Sequence, residues 1–210
     1  MLIEEKNNSG EVKLTADVQL PLDHKSLRKS TILADIEHFN LSAFSKFIHT
    51  VNPEIETLNG LIDLNINKDF DDFFSLNLIS DKLFVKFKGK DLPISHTAPI
   101  QIKSLLTLEN DEVIINSFKI ESEKIKSSML GTINIKNPKN PDLNLSLSID
   151  KSNAQEIIKL LPPERDLMPE LNFYALKKHY FDGDVLAHLE ITGKALRPQL
   201  TGSVLITNAY

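Results

Sequence analysis

Apolar and polar residues alternate along most of this chain with a period of two, the pattern of β-strands that bury one face. In the first such run, residues 11–20, Val, Leu and Ala alternate with Glu, Lys, Thr, Asp and Gln. Similar runs cover residues 58–67, 83–87, 143–149 and 185–191, and weaker ones cover 30–39, 73–80, 100–108, 112–121, 125–136 and 200–208. The pattern predicts about eleven antiparallel strands, because buried parallel strands have continuous apolar runs instead.

Three short stretches have apolar residues at helical spacing instead. The first covers residues 41–48. The second covers residues 153–161, with Ser152 as the expected N-cap and two prolines after it. The third covers residues 166–179 and has a proline in its first turn. The sequence therefore predicts a mainly β fold with about three short helices that cap a sheet.

Five of the seven glycines stand at the start of an alternating run, with apolar residues two and four positions later. These are Gly10, Gly60, Gly131, Gly183 and Gly202. Glycine at such a place permits a tight strand entry or a bulge. The recurrence favours a repeat architecture with irregular spacing. Glycines that simply gather at strand starts, as in any β-protein, are the alternative explanation.

The last part of the chain has the most specific pattern. Residues 181–209 contain a glycine, a strand ending in Ile-Thr-Gly, the segment Arg-Pro-Gln-Leu-Thr-Gly, and a second strand ending in Asn-Ala. This order resembles a recurring unit of the AsmA-like bacterial envelope proteins, the family that includes TamB. Looser matches cover residues 39–66 and 129–161. The chain lacks the family's N-terminal membrane anchor and ends within a strand, so we expect an internal segment of a longer protein.

The resemblance implies a curved antiparallel sheet that forms an elongated apolar groove. It implies a periplasmic location in the cell envelope, with an anchor in the inner membrane outside this chain. The implied role is to carry phospholipids between the inner and outer membranes, in support of outer-membrane biogenesis and with other envelope proteins as partners. On this basis residues 1–210 form one β-groove segment, with sub-units at about 8–51, 52–161 and 162–210.

Phospholipid acyl chains are the ligand that such a groove would hold. The alternation selects the residues expected to line it. They are Val12, Leu14, Val18, Ile62, Leu64, Ile66, Leu83, Val85, Phe87, Leu143, Leu145, Leu147, Leu189, Ile191, Val204 and Ile206. Alternation indicates a buried face but not what covers it, so a closed β-sandwich or barrel stays open as an alternative. Such a fold would serve as a structural, adhesion or ligand-binding module.

Composition narrows the functional classes. With 41% hydrophobic and 25% charged residues, the 210-residue chain can form a packed interior. The net charge is −5 and no basic block is present, which argues against a nucleic-acid partner. The chain has no cysteine, so disulfides and thiolate metal sites are excluded.

Nothing in the sequence requires catalysis, a metal or a cofactor. No nucleophile elbow or phosphate-binding loop is present. The segment from Asp63 to Asp69 has oxygen ligands at alternate positions, as in a calcium loop, but Lys68 stands where the loop needs glycine. The polar face of a strand explains this spacing better. His188 is expected on a solvated strand face and not in a binding site. Because the sequence shows none of these catalytic or metal-binding patterns, we predict a non-enzymatic protein.

Overall fold

The computed structural model describes residues 3–7, 10–17, 30–44, 49–50, 53–68, 72–89, 93–96, 98–160 and 183–208. Twelve antiparallel strands in this part of the chain form a single sheet. The strands are β1 (Ile3–Asn7), β2 (Gly10–Asp17), β3 (Thr31–Asn40), β4 (Ile55–Lys68), β5 (Phe73–Phe87), β6 (Ile94–His96), β7 (Ile100–Glu109), β8 (Glu112–Glu121), β9 (Lys126–Asn134), β10 (Asp142–Asn153), β11 (Asp184–Lys194) and β12 (Arg197–Thr207). The prediction of a mainly β fold is confirmed.

The order of the strands in the sheet follows their order in the chain. Each strand from β1 to β12 pairs with the next, except that β5 pairs with β7 and the short β6 pairs with β5 alone. Strands β1 and β12 are the two edges and do not pair with each other. The sheet is therefore open and curved, and it is not a closed barrel. Strand twist, which has one hand, accumulates across such a meander and curves it.

Register shifts interrupt the strand pairs without moving apolar residues to the other face. Between β3 and β4, Ile36 pairs with Leu64 but Phe39 pairs with Ile62, so β3 has one extra residue there. A comparable shift interrupts the pairing of β5 with β4, and others occur on β8 and β10. Such bulges bend a strand and increase its local twist. They also explain why the alternation in the sequence is weaker at these places.

The described part of the chain has fewer helices than the sequence predicts. The described residues contain one α-helix with defined bounds, α1 (Ala154–Leu160), and a 3-10 helix, Leu41–Phe44. His49 and Thr50 are also helical. The 3-10 helix follows β3 directly, and its Ser42 backbone N–H donates to the Asn40 Oδ1 atom over 3.0 Å. Residues 45–48 and the third predicted helix, 166–179, lie outside the described residues. For the part of the chain that is described, the prediction of about three helices is wrong.

Helix α1 is capped one residue later than predicted. The Asn153 Oδ1 atom accepts the backbone N–H of Glu156 over 3.1 Å, which makes Asn153 the N-cap. Ser152 is buried, and its side chain is hydrogen-bonded to the backbone of the sheet instead. Its Oγ atom accepts the backbone N–H of Lys126 over 2.9 Å and lies 2.6 Å from the Asp150 carbonyl oxygen.

The buried apolar residues follow the sheet from strand to strand. They are Ala34, Leu58, Ile100, Ile115, Ile125, Leu145, Ala154, Ile158 and Ala187. Helix α1 contacts β6 and β10 through a side that buries Ala154 and Ile158. None of the helices in the described part of the chain is long and apolar enough to cross a membrane.

Three of the five glycines do not stand at strand entries. Gly10 begins β2 and Gly183 precedes β11, whereas Gly60, Gly131 and Gly202 lie inside β4, β9 and β12. At Gly131 and Gly202 the backbone φ angles are +131° and +141°, a region that side chains rarely tolerate. These two glycines therefore permit a close approach of neighbouring strands in mid-strand.

Candidate functional site: the apolar face of the sheet

The register of the strands assigns each residue to one of two faces, because residues directly opposite each other in an antiparallel pair point the same way. Leu64 on β4 is opposite Ile36 on β3 and Leu78 on β5. Ile36 is in turn opposite Val12, and Leu78 is opposite Ile102. We call the face defined by this row the apolar face, and the opposite one the outer face.

All of the residues predicted to line a groove lie on the apolar face, except Val18, which lies outside the described residues. They come from β2, β4, β5, β10, β11 and β12, and the register brings them together. They are Val12, Leu14, Ile62, Leu64, Ile66, Leu83, Val85, Phe87, Leu143, Leu145, Leu147, Leu189, Ile191, Val204 and Ile206.

The apolar-face residues of β3, β7, β8 and β9, and two more on β5, were not among the predicted lining residues. These are Ile32, Ile36 and Phe39 on β3, Leu76 and Leu78 on β5, Ile100, Ile102 and Leu106 on β7, Val113, Ile115, Phe118 and Ile120 on β8, and Met129 and Ile133 on β9. In the sequence these residues belong to the runs with weaker alternation of apolar and polar residues. On β8 a bulge between Ile115 and Phe118 breaks the two-residue period of the alternation. With these residues the apolar face is continuous from β2 to β12.

Exposure of the apolar face rises toward the β12 edge of the sheet. Away from this edge, Ile115 on β8 and Leu145 on β10 are only 5% and 7% exposed. On the edge strand β12, Leu200, Val204 and Ile206 are 38%, 56% and 46% exposed. The apolar face therefore reaches solvent at the β12 edge, and a contiguous apolar patch that is accessible to solvent often marks a binding surface.

The ionisable side chains of Lys68 and His96 lie on the apolar face, toward opposite ends of the β4–β5 pair. Lys68 is buried, donates from Nζ to the Ser30 carbonyl oxygen over 2.8 Å, and has its Nζ 5.5 Å from the centre of the Phe74 ring. At the other end, burial lowers the pKa of His96, against the opposing effects of the Ala98 carbonyl and the Glu156 charge. The His96 imidazole is therefore favoured in its neutral form, and the stretch between the two ends is mainly apolar.

The outer face is mostly polar, but it also has exposed large apolar side chains. They are Leu33, Phe73, Phe84, Leu105, Leu130, Leu186 and Leu205. One row across the outer face contains Asp35, Asn65, Asn77, Lys103, Lys119, Ser128, Ser148, His188 and Ser203. Asp63, Asn65 and Asn67, with the spacing of a calcium loop, lie on this face of β4, so their alternation is that of a strand. Within the described residues, no group of three or more His, Asp or Glu side chains is arranged to hold a metal ion.

A serine, a histidine and a carboxylate lie in line on the outer face of β10 and β11. The Ser148 Oγ atom is 3.1 Å from Nδ1 of His188, and Nε2 of His188 is 3.4 Å from Oε1 of Glu190. Acyl transfer also needs donors for an oxyanion and a site that excludes water. Here the backbone N–H groups of both strands are used in the sheet, and the His188 side chain is 61% exposed. This arrangement gives no support to a hydrolase.

The fold and the site define a class: an open antiparallel sheet with one continuous apolar face and one mostly polar face. Comparisons with protein-family models, curated proteins and solved structures found no match for this chain.

Proposed function

We propose that this chain is a non-enzymatic lipid-binding segment whose apolar face holds phospholipid acyl chains. The observation that carries the proposal is the register, which aligns apolar side chains of successive strands on one face that stays accessible at the β12 edge. Acyl chains need apolar area rather than directional contacts. Each buried methylene group contributes about 0.8 kcal/mol, so a long continuous face suits a long hydrocarbon chain.

The resemblance to AsmA-like envelope proteins supports a conduit rather than a static binding site. On this proposal the segment carries phospholipids between the inner and outer membranes and so supports outer-membrane biogenesis. It works in the periplasm, anchored in the inner membrane through segments outside this chain and with envelope proteins as partners. Headgroups stay at the wet rim while acyl chains slide along the apolar face, and no residue performs chemistry.

A charge on the apolar face tests the proposal. Leu64 is half-buried on this face, and Asn65 is its neighbour on the outer face. Leu64→Asp should remove most bound phospholipid, because the carboxylate must lose its water whenever an acyl chain passes, at a cost of several kcal/mol. Asn65→Asp adds the same charge and should keep lipid at the wild-type level. Both variants and the wild type are incubated with phosphatidylglycerol and phosphatidylethanolamine vesicles and analysed by native mass spectrometry.

Circular dichroism of each variant separates loss of binding from loss of fold. A wild-type chain that retains no phospholipid would contradict the proposal, as would a folded Leu64→Asp variant with the wild-type lipid content. An unfolded Leu64→Asp variant would favour a packed core and a structural or adhesion role.

A further inference from the structure

Helix α1 connects two strands that are not neighbours in the sheet. It follows β10 directly, and it contacts β6 as well as β10. Strand β6 pairs with β5, and the strands β7, β8 and β9 lie between β5 and β10 in the order of the sheet. Seven helical residues are about 10 Å long, which is about two strand spacings. With its side chains, α1 can therefore reach from β10 to β6 over the strands between them.

Strand β6 has only three residues, so few ladder hydrogen bonds hold it and its position depends on the contact with α1. The side of α1 that packs buries Ala154 and Ile158. On β6, His96 is opposite Leu83, which places it on the apolar face, and it is only 6% exposed. A buried ionisable side chain therefore lies in the element that α1 holds.

The His96 ring is arranged for its neutral form. Its Nδ1 atom lies 2.9 Å from the Ala98 carbonyl oxygen, and because a carbonyl can only accept, Nδ1 carries the proton. Protonation would add a second N–H at Nε2 and a positive charge inside a buried site, which is costly unless both are compensated. Burial accordingly lowers the pKa of His96, although the Ala98 carbonyl and the Glu156 charge act in the opposite direction.

The charged groups near His96 in the described part of the chain do not provide an undivided counter-ion. Glu156 on α1 acts on the ring through its charge, but its Oε1 atom is also 2.9 Å from Nζ of Lys159. Lys82 on β5 lines the same cavity as His96, and as a cation it cannot stabilise an imidazolium. A protonated His96 is therefore better accommodated where water can reach it.

We propose that α1 and β6 form a clasp across the sheet that is closed while the His96 ring is neutral and opens when the ring is protonated. The open clasp restores the ordinary pKa of 6.5, so it binds the proton more tightly than the closed one does. Opening is therefore favoured increasingly as the pH falls below this value, and closing is favoured above it. The clasp depends on the packing of α1 and not on lipid binding, so either proposal can fail alone.

Hydrogen exchange followed by mass spectrometry tests the clasp in the wild-type chain. Protection is the exchange rate relative to the intrinsic rate at the same pH, and it is compared between about pH 7.5 and about pH 5, the range in which histidine titrates. Protection of residues 94–96 and 157–160 should fall severalfold at the lower pH, while β8 and β9 keep theirs. Unchanged protection of the clasp, or an equal loss throughout the sheet, would overturn the proposal.

A pair of histidine variants assigns the effect to one ring. His96→Asn keeps an N–H donor for the Ala98 carbonyl but takes up no proton in this range, so its clasp should stay closed at both pH values. His188→Asn is the matched control, because His188 is exposed on the outer face, and it should keep the wild-type response. Circular dichroism checks the fold, and His96→Gln replaces His96→Asn if the latter does not fold. A folded His96 variant that still loses protection at about pH 5, or a His188→Asn variant without the response, would contradict the proposed switch.

Discussion

At the scale of single residues, the glycines inside strands are the most constrained positions. An added Cβ atom at Gly131 would collide with the carbonyl oxygen of Asn144, and one at Gly202 with that of His188. Gly193 also has a positive φ, +87°, but a Cβ atom there would have its nearest neighbour, the Arg197 carbonyl oxygen, at 3.9 Å. Gly202 also has a positive φ, +141°.

Gly131→Ala should therefore lower the free energy of unfolding by more than Gly193→Ala does. Backbone strain alone costs roughly 1–3 kcal/mol at either position, and only at Gly131 does a collision add to it. Gly202→Val should cost about 1–3 kcal/mol in total, because the edge strand β12 can move away, whereas β9 is held on both sides. Urea unfolding of the three variants measures these differences. Equal losses at Gly131 and Gly193 would show that the sheet relaxes around the added methyl group.

At the scale of an element, α1 depends on its first turn. Its seven residues are too few for a helix to be stable by itself, so capping and packing maintain it. Asn153 supplies the cap, and Ala154 and Ile158 supply the packing.

Asn153→Ala should lower the free energy of unfolding by about 1 kcal/mol, because the Glu156 N–H loses its acceptor. Asn153→Asp keeps an oxygen at the cap and places negative charge at the helix N-terminus, so it should stay within a few tenths of a kcal/mol of the wild type. Thermal and urea unfolding of both variants give the comparison. A loss of equal size in Asn153→Asp would mean that the amide nitrogen of Asn153, rather than the cap, matters most.

At the scale of the whole molecule, the open sheet predicts a gradient of tolerance across the apolar face. Leu145, Ile191 and Leu200 lie in one row across β10, β11 and β12. Their exposure increases from 7% at Leu145 to 38% at Leu200 on the edge. A carboxylate placed at Leu200 can reach water, whereas one placed at Leu145 cannot.

Leu145→Asp should therefore cost several kcal/mol of unfolding free energy, and Leu200→Asp should cost much less. Ile191→Asp should fall between them. Denaturant midpoints of the three variants, with Ser146→Asp on the outer face as the control, measure the gradient. Three equal, large losses would indicate that the face is closed over by other parts of the molecule.

Much of the candidate site was predictable within each strand. Leu143, Leu145 and Leu147 share a face whatever their neighbours are, because successive side chains of a strand alternate between faces. The same reasoning assigned Asp63 and Asn65 to the outer face without any tertiary contact. It failed where the period is broken, as at Ile115 and Phe118, because a bulge is a property of two paired strands rather than of one.

The sequence by itself therefore determined that the chain forms strands and which side chains of each strand lie together. Only the tertiary structure decided which strands are neighbours, that Leu64 lies opposite Ile36 and Leu78, and that β1 and β12 remain apart so that the sheet stays open. It also decided that Asn153 rather than Ser152 caps α1, because Ser152 is bonded to Lys126 on another strand. The physical reason is that alternation depends on local backbone geometry, whereas register, curvature and closure depend on contacts between residues far apart in the chain.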